Sequence, residues 1–265
     1  MPAAENSADR DLLTHAVREA GAIAKAAFGH NPKTWEKSKG NPVTETDLAV
    51  NVHLHERLLE ARPNYGWLSE ESADDPERLT RTRVLIIDPI DGTLAFIKHK
   101  PEFTICAAVT ENGHPVAAAI FNPITDEMFS AALAEGATLN GVAISVSHAA
   151  VIEGSRMLIA KDVIGHPAWP QPWPAMTVEN RASIAYRMAL VACGQFDSMM
   201  SLSSKHEWDI AAGDLIVREA GGRVTSHSGS ELIYNQPIPR LRSVICAGPA
   251  MHDAILERTR DIKLP

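Results

Sequence analysis

The chain has 265 residues, 45% of them apolar, and carries a formal net charge of −8. This composition is typical of a soluble globular protein with a sizeable core, and the acidic balance argues against nonspecific nucleic-acid binding, which depends on Lys and Arg. Because no run of 18 apolar residues and no signal-peptide pattern occurs, we expect no membrane span and a cytoplasmic location.

The first predicted elements are two helices. Apolar residues recur at helical spacing over residues 7–28, and Ser7 is the candidate N-cap. A second helix is predicted to begin near Asp47 and to end before Pro63. Asp47 therefore lies at a helix N-terminus, where an ordinary capping role is common.

Strands are predicted next. The four apolar residues 84–87 indicate a buried strand, and Pro89 is expected to end its ladder. Turn residues then separate short apolar segments, which predicts an antiparallel meander and a hairpin. These segments are residues 104–110, 115–122 and 127–132, followed by 137–139 and 143–146 around Asn140-Gly141.

From about residue 147 the pattern changes to strands alternating with helices. The predicted elements are a strand at 157–160 and helices at 181–194 and 209–220. We therefore divide the chain into an N-terminal α+β part, residues 1–146, and a C-terminal α/β part, residues 147–265. The cysteines lie far apart in apolar surroundings and are predicted to be buried thiols. They are Cys106, Cys193 and Cys246.

The most informative segment is DPIDGT at residues 88–93, directly after the predicted buried strand. It brings two carboxylates, a glycine and a hydroxyl to one point. Asp88 would project from the strand end and Asp91 would open a helix, so that amides near Gly92 and Thr93 point outward as an anion site. Such a segment can place a divalent metal beside a phosphate.

Three further acidic segments surround this one in the sequence. They are TETD at 44–47, GWLSEES at 66–72 and WDIAAG at 208–213. Together, the four segments resemble the inositol monophosphatase family of magnesium-dependent, lithium-sensitive phosphatases, over roughly residues 37–222. The resemblance implies a layered αβαβα sandwich of α+β or α/β class, a small phosphorylated substrate and a homodimer.

The resemblance also implies the site residues. Two or three Mg²⁺ ions would be bound by Glu70, Asp88, the carbonyl of Ile90, Asp91 and Asp209. Hard oxygen donors suit Mg²⁺, whereas His does not, so His206 is not predicted as a ligand. Glu71 either supports Glu70 or faces solvent. Either Lys37 or Lys39 would lie in the loop over the metals.

The implied mechanism uses Asp47, Thr93 and Glu70 as catalytic residues. Thr93 and one metal would hold the attacking water, Asp47 would accept a hydrogen bond from Thr93, and a second metal would stabilise the leaving oxygen. Gly92 and Thr93 are the predicted phosphate-binding residues.

Substrate choice is predicted to depend on Ser183, Arg187 and Lys205, which would face the metals. Inositol-specific members of the family carry an acid about seven residues before Asp209, and this position is Leu202 here. Hydrolysis of inositol 1-phosphate or a related polyol phosphate is the primary hypothesis. The missing acid and the nearby cations also suit a 3'(2'),5'-bisphosphate nucleotidase.

Two further alternatives stay open. A histidinol phosphatase would need an acid for the substrate amine, and Glu207 is a candidate. A noncatalytic regulatory binding protein, for instance one that assists nucleic-acid machinery, is the alternative from another functional class. The intact acidic set argues against lost catalysis.

Overall fold

The computed structural model describes residues 2–38, 40–167 and 169–264. The helices are α1 (Pro2–Ala27), α2 (Glu45–Ala61), α3 (Thr93–Ile97), α4 (Lys161–Ile164), α5 (Ile184–Ala192), α6 (Ala211–Glu219) and α7 (Pro249–Thr259), with a 3₁₀ turn at Pro76–Thr80. The strands are β1 (Thr34–Ser38), β2 (Asn41–Thr44), β3 (Gly66–Ser69), β4 (Arg83–Asp91), β5 (Thr104–Glu111), β6 (His114–Asn122), β7 (Glu127–Ala132), β8 (Ala137–Leu139), β9 (Val142–Ala143), β10 (Arg156–Leu158), β11 (Thr177–Glu179), β12 (Ser198–Ser201), β13 (Lys205–His206), β14 (Arg223–Thr225), β15 (Arg240–Leu241) and β16 (Val244–Ala247).

A large sheet is built from the first half of the chain, in the order β3-β4-β5-β6-β7-β8-β9. Strands β3 and β4 are parallel, and the other neighbours are antiparallel. The predicted meander and hairpin are therefore confirmed. The second half forms a smaller mixed sheet in the order β11-β10-β12-β16-β14.

Buried apolar clusters lie between successive layers. The first cluster separates α1 and α2 from the large sheet and includes Leu54 and Leu85. The second fills the space around α5 and α6, between the large and small sheets, and includes Ile86 and Leu158. The third lies between the small sheet and α7 and includes Met251. This order confirms the predicted αβαβα sandwich.

The proposed domain boundary near residue 147 falls between the two sheets in sequence. Both sheets nevertheless contribute to one cluster, because Ile86 of β4 and Leu158 of β10 belong to the core around α5 and α6. The division into two domains stays a prediction.

Within the described ranges, no helix combines the length and apolar character needed to cross a membrane.

Two predicted element boundaries and the predicted burial of one cysteine were wrong. Helix α1 begins at Pro2, so Ser7 is not an N-cap, and its hydroxyl donates to the Ala3 carbonyl within the helix. Strand β4 continues through Pro89, where the missing N–H coincides with a shift of register against β5. Cys193 is only half-buried, because it follows the last residue of α5.

Candidate active site

Asp88 lies on β4 and is 1% exposed. Among the described residues, its Oδ1 atom is buried without a hydrogen-bond partner. Burial raises the pKa of Asp88 well above its usual value, and the charges of Glu70, Asp91 and Asp209 raise it further. An unpartnered buried carboxylate oxygen is costly, so this atom is suited to a bound cation.

Asp91 ends the same strand and is held from the other half of the chain. Its Oδ2 atom accepts hydrogen bonds from the Ser183 hydroxyl and the Ala185 amide, both at 2.7 Å. Burial raises the pKa of Asp91 to about 6, although these hydrogen bonds act in the opposite direction. The start of α5 therefore orients one oxygen of this acid.

Ser183 is not exposed to a substrate, contrary to its predicted role. It is 0% exposed, it caps α5 by accepting from the Tyr186 amide at 2.9 Å, and its hydroxyl also lies 2.9 Å from Thr104 Oγ1. The sequence analysis placed Ser183 toward the substrate. In the structure, its short side chain instead caps α5 and binds Asp91.

Thr93 and Asp47 form the hydrogen bond that the resemblance implied. The Thr93 hydroxyl lies 3.0 Å from Asp47 Oδ1 and 3.1 Å from the Ile90 carbonyl oxygen. The other oxygen of Asp47 accepts from the Thr44 amide at 2.8 Å in the capping box of α2. Burial raises the pKa of Asp47, against the effect of its hydrogen bonds. Asp47 is thus both a cap residue and a partner of Thr93.

Gly92 makes the sharp turn between β4 and α3. Its φ of 100° lies in the left-handed region, and an added Cβ would lie 3.0 Å from the Glu102 carbonyl oxygen. The turn places Thr93 two residues after Asp91, at the first position of α3. Phosphate binding by Gly92 and Thr93 stays a prediction.

Lys37 reaches the acidic pair after β3. Its Nζ atom lies 2.6 Å from Glu70 Oε1 and 2.7 Å from Glu71 Oε1. Burial lowers the pKa of Lys37, but the hydrogen bonds and charges of the two acids outweigh it and leave the pKa raised. The structure thus brings Lys37 to the site, whereas Lys39 lies outside the described residues.

Glu71 does not face solvent, which was one of its two predicted positions. Its side chain is only 5% exposed, compared with 18% for Glu70. Burial raises the pKa of Glu71, while Lys37 lowers it. Glu71 therefore shares the ammonium group of Lys37 with Glu70, and Glu70 remains the more accessible acid.

Asp209 lies just before α6 rather than inside it. Its Oδ2 atom accepts from the His206 amide at 2.9 Å, and burial together with the Asp91 charge raises the pKa of Asp209 to about 8. The helix that follows approaches α5 closely, since a Cβ on Gly213 would lie 2.8 Å from Met188 Cβ. A glycine at this position thus allows α5 and α6 to pack closely.

The aromatic residues beside Asp209 stack on each other. The rings of His206 and Trp208 lie 4.4 Å apart at 11°, and Trp208 packs against the core around α5 and α6. Burial lowers the pKa of His206. Trp208 thus packs between His206 and this core.

Arg187 and Lys205 line one cavity beside the acids. Arg187 Nε donates to the Arg181 carbonyl at 2.6 Å, and Lys205 Nζ donates to Ser203 Oγ at 2.8 Å. Burial lowers the pKa of Lys205, while the charge of Asp209 raises it. Both cations are therefore close enough to the acids to feel their charge.

Glu207 is not available to a substrate amine. It is 0% exposed, and its carboxylate accepts from the backbone amides of Asn235 at 2.7 Å and Gln236 at 2.9 Å. Burial raises its pKa to about 7 despite these bonds. The buried Arg78 binds the same loop from the other side, through Asn235 Oδ1 at 2.7 Å and the Gln236 carbonyl at 3.0 Å.

Arg78 and Glu207 thus form a clamp on the loop at Asn235. The sequence analysis missed this clamp because no local pattern links its parts. Arg78 follows the segment of Glu70, Glu207 precedes Asp209, and both bind the loop at Asn235.

Within the described residues, no group of three or more His, Cys, Asp or Glu side chains is arranged as a ready metal cluster. The assignment of five metal ligands stays a prediction.

The acids of the site therefore come from four separate segments: Asp47 bonds to the Thr93 hydroxyl, and the charges of Glu70, Asp91 and Asp209 act on Asp88. The sequence from residue 6 to 264 matches the family model described as "Inositol monophosphatase family". The chain belongs to this family. Family membership supports phosphatase activity of a generally metal-dependent kind.

Relatives of this chain carry different functional names. Inositol monophosphatase 2 of Solanum lycopersicum is 32% identical over 233 residues, which cover 83% of this chain and 88% of the relative. Nus factor SuhB of Escherichia coli K12 is 27% identical over 266 residues, 95% of each chain. The structure of the Thermotoga maritima IMPase superposes with a TM-score of 0.81 at 27% identity, covering 95% of this chain and 96% of that one.

Proposed function

We propose that the chain is a Mg²⁺-dependent phosphomonoesterase that acts on a small phosphate ester. The observation that carries this proposal is the buried Oδ1 atom of Asp88, which has no hydrogen-bond partner in the part of the chain that the structure describes and which feels the charge of further acids. Such an acidic cluster repels a phosphate when no cation is bound to it, and a bound cation would reverse the local charge. A metal requirement therefore follows from the electrostatics of the site.

The donor chemistry fits Mg²⁺. Carboxylates and one main-chain carbonyl are hard oxygen ligands, which Mg²⁺ prefers. The residues that would hold the ions are Glu70, Asp88, Ile90 through its carbonyl, Asp91 and Asp209. When bound, the metal supplies Lewis-acid stabilisation of phosphoryl oxygens and a lowered pKa for a coordinated water.

The side chains position the attack. Thr93 donates to Asp47 at 3.0 Å, so the lone pairs of its hydroxyl remain able to accept a hydrogen bond from a water. Asp47 is fixed by its capping contacts with Thr44, which holds Thr93 in one orientation. Glu70 is the accessible acid next to this pair, and displacement of Lys37 would free it for water or metal. These residues orient a water without forming a phosphoenzyme.

Two substrate classes remain in competition. Family membership and its inositol monophosphatase relatives favour inositol 1-phosphate or a related polyol phosphate. Leu202 in place of an acid, with Arg187 and Lys205 on the same cavity wall, favours a 3'(2'),5'-bisphosphate nucleotide. Histidinol phosphate is disfavoured, because Glu207 is buried and engaged with backbone amides.

A phosphate-release screen with and without Mg²⁺ tests the proposal. It would compare inositol 1-phosphate, 3'-phosphoadenosine 5'-phosphate and histidinol phosphate at equal concentration. We expect Mg²⁺-dependent release from at least one ester, and absence of release from all three would contradict the proposed activity. Lys205→Ala should reduce nucleotide hydrolysis about tenfold if the cation makes one charge-assisted contact, and inositol 1-phosphate hydrolysis should change little.

A noncatalytic role is the competing hypothesis, and the relatives named Nus factor SuhB keep it open. The intact pair of Asp47 and Thr93 and the complete set of proposed ligands favour catalysis. We further propose that the protein is a cytoplasmic homodimer without stable nucleic-acid binding. Light scattering combined with size-exclusion chromatography would test the oligomeric state.

A further inference from the structure

A cavity of about 620 Å³ opens beside the acidic site. Its walls come from β10, β12, the segment around α4 and the residues after α7, and they are mainly apolar. The side chains that define this character are Ile159, Val163, Trp169, Met200, Leu202 and Leu264. A cavity of this size suits a ligand considerably larger than a phosphate group.

The cavity shares a wall with the acids. Ala182 and Ile184 line it on either side of Ser183, whose hydroxyl lies 2.7 Å from Asp91 Oδ2. Lys205 lines it as well and belongs to the short segment that leads to Asp209. An ester whose phosphate lies at the acids would therefore extend its alcohol part into this cavity.

The polarity of the cavity is uneven. Its cations lie toward the acids, because Arg187 belongs to α5, whose cap Ser183 binds Asp91, and Lys205 belongs to the short segment before Asp209. Leu202 and Trp169 pack against the apolar cluster that includes Met200. The Trp169 indole is oriented by its N–H, which donates to the Val163 carbonyl at 2.6 Å. The cations are thus near the acids, and the wall farther away is mainly apolar but also includes Asp162 and His166 beside Val163 and Trp169.

A ligand with hydroxyls on every side fits this arrangement poorly. Hydroxyls placed against Leu202, Met200 and Trp169 would lose hydrogen bonds to water without gaining partners. An apolar group in the same place would gain free energy in proportion to the area that it buries. The walls therefore select for an apolar body on the leaving alcohol.

We propose that this cavity binds the alcohol part of the substrate, and that the substrate is a phosphate monoester carrying an apolar or aromatic ring. The proposal rests on the phosphomonoesterase activity proposed above. Polar atoms near the ester would face Arg187 and Lys205, and the ring would contact Trp169 and Leu202.

The test compares three esters with Mg²⁺: 2-phenylethyl phosphate, glycerol 2-phosphate and inositol 1-phosphate. In the wild type, kcat/KM for the phenylethyl ester should exceed that for each polar ester at least tenfold, which corresponds to about 1.4 kcal/mol. Trp169→Ala and Leu202→Glu should each remove most of this advantage, measured as the ratio of kcat/KM for 2-phenylethyl phosphate to kcat/KM for glycerol 2-phosphate. Val151→Ala is the control, because Val151 is an exposed apolar residue of a different groove.

Equal kcat/KM values for the three esters, or a preference that survives both variants, would overturn the proposal. If no ester is hydrolysed, the phosphatase proposal fails, and saturation-transfer NMR with 2-phenylethyl phosphate still tests the cavity. Ring signals that depend on Leu202 and Trp169 would support apolar binding there, and their absence in the wild type would overturn it. Thermal unfolding of each variant would show whether it is folded.

Discussion

Ser183 Oγ donates a hydrogen bond to Asp91 Oδ2 at 2.7 Å, across 92 residues of sequence. Ser183 also caps α5, so one hydroxyl fixes both the start of that helix and one oxygen of a proposed metal ligand. The position of Asp91 therefore depends on the packing of α5 against the large sheet.

Ser183→Ala should weaken Mg²⁺ binding about tenfold, because Asp91 loses the hydroxyl that orients it. The lost cap should also lower the free energy of unfolding by about 1 kcal/mol. Ser183→Gly is the matched variant, since glycine at an N-cap costs only a few tenths of a kcal/mol. Calorimetric Mg²⁺ titration and thermal unfolding would separate the effects. If Gly restores Mg²⁺ affinity, the hydroxyl acts only through helix stability.

Thr93→Ala should retain Mg²⁺ binding and lose phosphate release by about 10² or more, because the hydroxyl orients the attacking water. Removing the hydroxyl also leaves Asp47 Oδ1 without its 3.0 Å partner. Mg²⁺ titration beside steady-state kinetics would measure both properties. An equal loss of binding and turnover would show that Thr93 is a ligand or a structural residue.

Lithium should inhibit phosphate release at saturating substrate, as the family resemblance implies. Asp88 and Asp91 lie on one strand end and can serve more than one ion, so at least one ion would be weakly held. Inhibition should diminish as the Mg²⁺ concentration rises. A lithium titration at low and high Mg²⁺ would measure this, and activity unaffected by lithium at low Mg²⁺ would argue against a dissociable metal.

The local elements were predictable because their residues are neighbours in sequence. Turn residues fix the meander β5 to β7, and the segment 88–93 alone brings Asp88, Asp91 and Thr93 together. Contacts between distant segments were not predictable, because they leave no periodic pattern. The bond from Ser183 to Asp91 is of this kind.

The clamp on the loop at Asn235 was unpredictable for the same reason. No sequence pattern links Arg78 to Glu207, yet both are buried and both bind this loop. Burial also excludes Ser183, which was predicted to bind substrate, and Glu207, which was a candidate for a substrate amine, from direct contact with a ligand. A polar side chain near a motif can support the backbone instead of facing the ligand.

His252 in α7 should make stability depend on pH. Thr225 Oγ1 donates to the Ser226 carbonyl, so we assign His252 Nε2–H as the donor to Thr225 at 2.9 Å; His252 Nδ1 is then buried without a partner among the described residues. Burial lowers the pKa of His252 below 6.5; Arg223 and Arg218 lower it further, while Asp253 opposes them.

Because the folded state binds a proton at His252 less readily than the unfolded state, stability should fall as pH drops below about 6.5. The contribution of His252 should be at most about 1.4 kcal/mol per pH unit. In His252→Gln, the free energy of unfolding should depend less on pH between 6.5 and 5. Chemical denaturation at several pH values would measure this, and parallel curves for both proteins would contradict the assignment.

The most direct test of the account is Mg²⁺-dependent phosphate release by the wild type and by Asp91→Asn. Replacing this carboxylate removes one charge from the buried cluster, so the variant should fold with little loss of stability and should bind Mg²⁺ more weakly. We predict that the wild type releases phosphate only when Mg²⁺ is present and that Asp91→Asn loses the rate by about 10² or more. Release without Mg²⁺, or a variant that retains more than about a tenth of the wild-type rate, would contradict the proposed metal-assisted hydrolysis.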